Sequence, residues 1–196
     1  MRKFVLASFN RDKVRELREL LRQPWMVLVG MNEIEGASAP AETGKTLLEN
    51  AFIKARAAVR LTRLPAIADD TGLEVDALGG APGVESARFA GRGASYEDNL
   101  NLLLERLKSV PPEQRTARFR TVCVACFPDE PDCTAEGVLE GRIATAPRGA
   151  VGFGYDPVFE VQGLGRTLAE LTPEEKNRCS HRARAVHALA AQLIDW

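Results

Sequence analysis

Two adjacent carboxylates, Asp69 and Asp70, follow the short apolar run Pro65-Ala66-Ile67-Ala68 and precede Thr71-Gly72-Leu73. The run predicts a strand, and α/β proteins place their chemistry where strands end. Paired acids there suit a hard cation that carries substrate phosphates, because Mg²⁺ takes oxygen ligands and keeps several waters. The same residues also make an Asx-type turn, since Asp and Gly are ordinary turn formers. A glycine-rich stretch follows. Gly72, Gly79, Gly80, Gly83, Gly91 and Gly93 are six of the sixteen glycines in the chain, and their crowding predicts tight turns or close ligand approach to the backbone.

Four other segments carry chemically useful residues. Ser8-Phe9-Asn10-Arg11-Asp12-Lys13 lies between a predicted strand and helix. Backbone N–H groups at a helix start favour anions, and Lys13 adds a point charge. It is not a Walker A loop, which needs glycines that are absent here, and by itself it also reads as an Asn turn with a solvated lysine. Glu42-Thr43-Gly44-Lys45-Thr46-Leu47-Leu48-Glu49-Asn50-Ala51 places one acid before a helix and one within it. An acid complementing the helix dipole and an exposed Glu explain that segment equally well. Gly152-Phe153-Gly154-Tyr155-Asp156-Pro157 sets glycines on both sides of an aromatic, so that Phe153 can stack on a flat ligand or anchor a tight turn. Glu175-Lys176-Asn177-Arg178-Cys179-Ser180-His181-Arg182 places two N–H donors, His181 and Arg182, in a first helical turn. A cationic first turn opposes the helix dipole; a ligand or simple solvation of a charged run accounts for it.

The elements that position these residues follow from periodicity. Lys3–Ala7 predicts a first strand and residues 12–22 a helix with Val14, Leu17 and Leu21 on its apolar stripe. A second strand is expected at 25–29 and the clearest helix at 44–61, with Leu47, Leu48, Ala51, Phe52, Ala55, Ala58 and Val59 as its apolar face. After the strand at 65–68 come a helix at 96–107 and two strands, 117–127 and 134–144, joined by the turn-rich Pro128–Asp132. Thr172 as N-cap, Pro173 at the first helical position and Glu175 at the third start a helix. Ser180 caps the last one, with Ala183, Val186, Ala190 and Leu193 on its apolar side and His187 packed near them. The expected class is mixed α/β, one domain over 1–196 with two lobes.

Bulk properties narrow the function. A net charge of −1 over 196 residues leaves no global field to hold a polyanion, so sequence-independent nucleic-acid binding is disfavoured. The apolar run Phe4–Ala7 is too short for an export segment and is broken by Asn10-Arg11-Asp12-Lys13. No stretch approaches membrane-spanning length, and the expected setting is cytoplasmic. Cys123 and Cys126 form a C-x-x-C, but the surrounding Val122–Phe127 reads as strand, which points them to opposite faces. No second pair or His follows at zinc spacing, so buried thiols are expected.

In order and over almost the whole length, Ser8–Lys13, Glu42–Ala55, Ala68–Gly91, Gly152–Pro157 and Glu170–Arg182 resemble the inosine triphosphate pyrophosphatase family. The resemblance implies an elongated mixed α/β fold with the nucleotide in a cleft, a homodimer, Mg²⁺, and cleavage of the α–β phosphate bond of non-standard purine nucleoside triphosphates such as ITP, dITP and XTP. It implies that Ser8, Phe9, Asn10, Arg11, Asp12 and Lys13 hold the triphosphate. Asp70 would be the catalytic acid-base residue and a metal ligand, with Asp69 beside it. Thr71 stands where the family usually has Ser and keeps the hydroxyl. Phe153, Gly154, Tyr155, Asp156, Lys176, His181 and Arg182 would form the base and sugar pocket. Ala41 precedes Glu42 where many relatives have a second acid, so Glu42 and Glu49 both stand as candidates for the opposing metal ligand. A pyrophosphatase for other modified nucleotides and a nucleotide sensor without turnover are the rival readings, and a substrate panel separates them.

Overall fold

The computed structural model describes residues 1–193, so the last three positions of a domain read over 1–196 lie outside the described residues. In chain order the main elements are β1 (Arg2–Leu6), α1 (Arg11–Leu20), β2 (Met26–Gly30), α2 (Leu47–Thr62), β3 (Ala66–Val75), β4 (Pro82–Gly83) and α3 (Tyr96–Leu107). They continue with β5 (Thr116–Cys126), β6 (Cys133–Ile143), β7 (Phe159–Val161), α4 (Pro173–Cys179) and α5 (His181–Gln192). The strands form one mixed sheet of seven in the order β2-β1-β3-β5-β6-β7, with β4 added to β3. The mixed α/β class is as expected. Among the described residues no helix is long and apolar enough to cross a membrane.

The chain packs as two units. The first takes Met1–Asp70, Thr121–Gly137 and the chain from 182 onward. β1 pairs parallel with β2, Phe4 opposite Leu28, and with β3, Val5 opposite Ala66. Flanked on both sides, β1 buries Phe4, Val5 and Leu6 completely, as a strand between parallel neighbours must. Parallel neighbours need a crossover; α1 makes the first, its Val14 and Leu17, with Leu21 just beyond, joining Phe4 and Ile67 in one core. Trp25 and Phe127 present ring edges to Phe4, each at 6.2 Å between centroids. Each fully buried leucine there adds about 1.5–3 kcal/mol of transfer free energy. α5 contributes Val186 and Leu189, with Leu193 just beyond it, whereas His187, expected near the apolar side, is exposed. The thiols of Cys123 and Cys126 are free and buried; burial pushes that of Cys126 up to about 12 and that of Cys123 higher still.

The second unit takes Thr71–Arg120 and Val138–His181. Its core gathers Leu73 and Val75, Leu100, Leu103 and Leu107 of α3, and Phe119 and Phe159, whose rings lie 4.7 Å apart. The glycine-rich stretch is irregular but tied down. Ser86 Oγ accepts from Leu73 N at 2.8 Å and donates to Gly83 O at 2.6 Å. Asn99 of α3 accepts from Ala90 N at 2.8 Å and donates to Ala87 O at 3.2 Å.

Three departures from expectation bear on the site. β3 does not stop at Ala68 but runs to Val75, so both acids lie within a strand; carboxylates are tolerated there because cations meet them, as described below. α2 begins at Leu47, not Gly44. Thr46 Oγ1 accepts from Glu49 N at 3.1 Å and the Glu49 carboxylate accepts from Thr46 N at 3.1 Å, and this reciprocal cap outranks the periodic pattern in setting the boundary. β7, only three residues long, carries too short a pattern to predict. Thr46→Ala should lower stability by about 1 kcal/mol, read as a fall in the urea midpoint; an unchanged midpoint would show that the cap does not hold the start of α2.

Candidate active site

Asp69 and Asp70 are consecutive strand residues, so their side chains leave opposite faces of β3. Asp69 shares its parity with Ile67 and Leu73, Asp70 with Ala68 and Glu74. The two acids accordingly have different partners. The Asp69 carboxylate is buried and meets Lys13 Nζ at 3.3 Å and Arg182 Nε at 3.1 Å. Burial works to raise its pKa, but Lys13, Arg182 and Lys54 outweigh that and hold it well below the usual carboxylate range. Arg182 is itself buried, and its other arm bonds Glu16 of α1. Burial works against its charge, yet Asp69 and Glu16 keep the guanidinium firmly protonated. Lys13 and Glu16 lie three residues apart and so share one side of α1.

Asp70 meets Lys54. The ammonium lies 2.6 Å from Asp70 Oδ1 and 3.4 Å from Glu42 Oε1, bridging the two acids. Burial works to lower the Lys54 pKa, but Asp70, Asp69 and Glu42 more than offset it and the net shift is upward. Glu42 reaches this position because residues 42–44 lie close along α2. Asn50 Oδ1 accepts from Gly44 N at 2.8 Å, and a Cβ on Gly44 would fall 2.6 Å from that same oxygen, so the approach requires glycine. Glu49 is exposed, as Glu42 is, but its carboxylate is taken up in capping α2 through Lys45 N and Thr46 N.

The donor set fits Mg²⁺. Glu42 and Asp70 converge on one cation already, the Lys54 ammonium, and both offer the hard oxygen ligands that Mg²⁺ prefers. Among the described residues there is no group of three or more His, Cys, Asp or Glu able to hold a metal. An ion here would therefore draw its remaining ligands from water and phosphate, the usual arrangement for Mg²⁺ in nucleotide sites.

The loop from β1 to α1 is ordered by its own side chains. Asn10 N donates to Ser8 Oγ at 3.2 Å, and Asn10 Oδ1 accepts from the N–H groups of Asp12 and Lys13 at 3.0 and 3.1 Å. Two of the helix-start donors that the sequence offered to an anion are thus taken by the N-cap. Asp12 pairs with Arg15 at 2.9 Å, Arg11 is exposed and Phe9 is half-buried. The cation this loop directs inward is Lys13.

In the second unit, Phe153, Asp156 and Lys176 form a connected group. Asp156 Oδ2 accepts from Phe153 N at 2.9 Å and from Lys176 Nζ at 2.6 Å, and both charged residues are buried. Gly152 lies at a φ of +85°, and a Cβ there would come within 2.1 Å of Asp156 Oδ2; only glycine lets the turn close on the carboxylate. Lys176 Nζ stands 5.1 Å from the centre of the half-buried Phe153 ring. Tyr155 serves as an anchor: its hydroxyl donates to Ser86 O at 2.8 Å, joining this loop to the glycine-rich stretch. His181 is buried and stacked on Phe119 at 4.4 Å. Thr71, the residue after Asp70, is half-buried. Arg182, read from sequence as part of the base pocket, finds its partners in Asp69 and Glu16.

Sequence reasoning missed Lys54 and Glu16. Both resemble ordinary helix-surface charges, though Lys54 follows the buried Asn50 by four residues and so shares its side of α2.

Comparison with known proteins gives a consistent result. The model of the Ham1 family matches residues 4–192. A protein of Methylococcus capsulatus named dITP/XTP pyrophosphatase is 52% identical over 196 residues, covering 98% of this chain and 96% of its own length. One of Geobacillus kaustophilus with the same name is 48% identical over 192 residues, covering 98% and 94%. Among solved structures, a HAM1 protein from Coxiella burnetii superposes with a TM-score of 0.89 at 43% identity, covering all of both chains.

The Asp69 cluster sets a pH-dependent stability. A depressed folded-state pKa means that its contribution is complete above the unfolded value near 3.8 and is lost as pH falls below it. Asp69→Asn should cost about 3 kcal/mol near neutral pH, because Arg182 and Lys13 lose their buried counter-charge. Urea unfolding at pH 7 and pH 3 should show the gap to the parent protein narrowing in acid; a gap that is constant or widens would remove the charge from this account.

Proposed function

The chain belongs to the Ham1 family, and from that premise we propose that it hydrolyses the non-standard purine nucleoside triphosphates ITP, dITP and XTP to monophosphate and pyrophosphate. The observation that carries the reading is the sharing of the Lys54 ammonium between Asp70 and Glu42. Two acids gathered on one exchangeable cation, with further lysine beside them, suit the polyphosphate end of a nucleotide. Mg²⁺ is the metal of the proposal, held by Glu42 and Asp70, and when bound it offsets charge on the phosphate oxygens and the leaving pyrophosphate. Glu42 is chosen over Glu49 because Glu49 is committed to the cap of α2.

Asp70 takes a proton from the attacking water and orients it toward the α-phosphorus, the role of a general base. Lys13 and Lys54 supply positive charge to phosphate oxygens, while Asp69, held between Lys13 and Arg182, fixes where the Lys13 ammonium stands. Ser8, Asn10 and the start of α1 keep the loop that carries Lys13 in shape. Arg11 and Thr71 belong to the same phosphate-binding proposal.

At the other end, Phe153 offers a ring to the base, and Lys176, oriented by Asp156, offers N–H donors, with His181 and the Gly154 backbone completing the set. Hypoxanthine and xanthine present a 6-oxo acceptor to such donors. Adenine presents an amino group that leaves them unpaired, a large penalty in a buried site. The proposal includes a homodimer and a cytoplasmic setting, as the resemblance implies.

Pyrophosphate release from ITP, dITP, XTP, GTP and ATP, with and without Mg²⁺, tests the reading. The first three should turn over, GTP and ATP far more slowly, and chelation should stop the reaction until Mg²⁺ is restored. Preference for dUTP or methylated pyrimidine triphosphates would overturn it. Asp70→Asn should lower the rate on ITP by about 10²–10⁴-fold with the circular dichroism spectrum unchanged; near-parental activity would remove Asp70 from its role.

A further inference from the structure

α3 starts with an exposed aromatic residue, Tyr96. Ser95 caps the helix, its Oγ accepting from Asp98 N at 3.0 Å while Asp98 Oδ2 accepts from Ser95 N at 2.8 Å. Tyr96 is the first residue inside that cap, a position where tyrosine has no helix-forming advantage. The residue is 44% exposed. The reciprocal cap makes its backbone a fixed mount.

That mount brings the ring to a specific neighbour. The Tyr96 and Phe153 ring centroids are 5.6 Å apart with the planes inclined at 37°. Phe153 is held in turn, its N–H bonded to Asp156 and Lys176 Nζ 5.1 Å from its ring. Two partly exposed aromatic rings are therefore in tilted contact next to a buried lysine–aspartate pair. A single phenyl ring is narrower than a purine, whose two fused rings need a wider apolar surface to stack fully. Base–aromatic stacking is tolerant of base identity, because every base has a π face, and its strength follows the overlap achieved.

We propose that Tyr96 is a base-recognition residue, its ring widening the Phe153 surface so that a bicyclic purine gains more from binding than a single-ring pyrimidine. This rests on the assignment of Phe153 to the base end of the nucleotide. Tyr96 would act on binding of the base and not on the phosphate chemistry.

The test uses the full chain and its variants Tyr96→Ala, Tyr96→Phe and Phe153→Ala, with calorimetric binding of IMP, UMP and pyrophosphate, and steady-state kinetics on ITP. Tyr96→Ala should weaken IMP binding and raise KM for ITP by about five- to tenfold. It should weaken UMP binding by less and leave pyrophosphate binding and kcat within about twofold. Tyr96→Phe, which keeps the ring, should match the parent. Unchanged IMP affinity in Tyr96→Ala, with a loss in Phe153→Ala, would overturn the role of Tyr96 and leave the base assignment standing. Unchanged affinity in both would overturn both. Equal loss of IMP and pyrophosphate binding would show a general structural defect and likewise overturn the proposal.

Discussion

A carboxylate removed from water has to be met by positive charge or give up its own, and the buried Asp69 is met by Lys13, Arg182 and the nearby Lys54. Much of the first unit is arranged around that requirement. Lys13 comes from α1, Arg182 from the first turn of α5, and Glu16 of α1 takes the remaining arm of Arg182. α1 is thus joined to Asp69 twice, directly and through arginine. Breaking a buried charge pair by removing one partner is far more costly than the pair is worth over apolar packing. Such a cluster defines one arrangement of β1, α1 and β3 better than it adds net stability. The loop from Ser8 to Lys13 inherits its position from that arrangement.

The strand character of residues 69–70 divides the work between the two acids. Adjacent positions on a strand cannot address one ligand from one face, and the partners observed for Asp69 and Asp70 are correspondingly different. Counting groups shows what this division leaves. The linked residues carry three cations, Lys13, Lys54 and Arg182, against four acids, Glu16, Glu42, Asp69 and Asp70. Asp69 and Glu16 are matched by the fixed pair Arg182 and Lys13. Asp70 and Glu42 converge on Lys54, and these two carboxylates are the ones we propose for a divalent cation.

The legible parts of the fold were those with a long enough period or an explicit stop signal. α1, α3 and the start of α4 lie within a residue or so of where their patterns put them, because apolar spacing and capping agree there. The limits of β3 were misread because two acids and a glycine look like the end of a strand when their partners, far away in sequence, are unknown. The same blindness to distant partners hid Lys54 and Glu16, and the buried pairing of Arg182 with Asp69 and Glu16 was equally invisible in the sequence. The Tyr155 hydroxyl likewise donates to Ser86 O, sixty-nine positions earlier. Sequence spacing names residue types able to do chemistry; it does not say which pairings absorb them.

Lys176 and Lys54 each meet carboxylates, but the two arrangements differ. Lys176 is oriented by Asp156, whose carboxylate is also bonded to the Phe153 N–H and crowded by Gly152. A carboxylate held on several sides keeps its ammonium in one place, which suits a donor that must read the edge of a base. Lys54 is shared by Asp70 at 2.6 Å and Glu42 at 3.4 Å, and neither acid is fixed by it alone. An ammonium balanced between two acids can give them up to a stronger cation and carry its charge to phosphate instead, with little net desolvation because the incoming charges replace the outgoing ones.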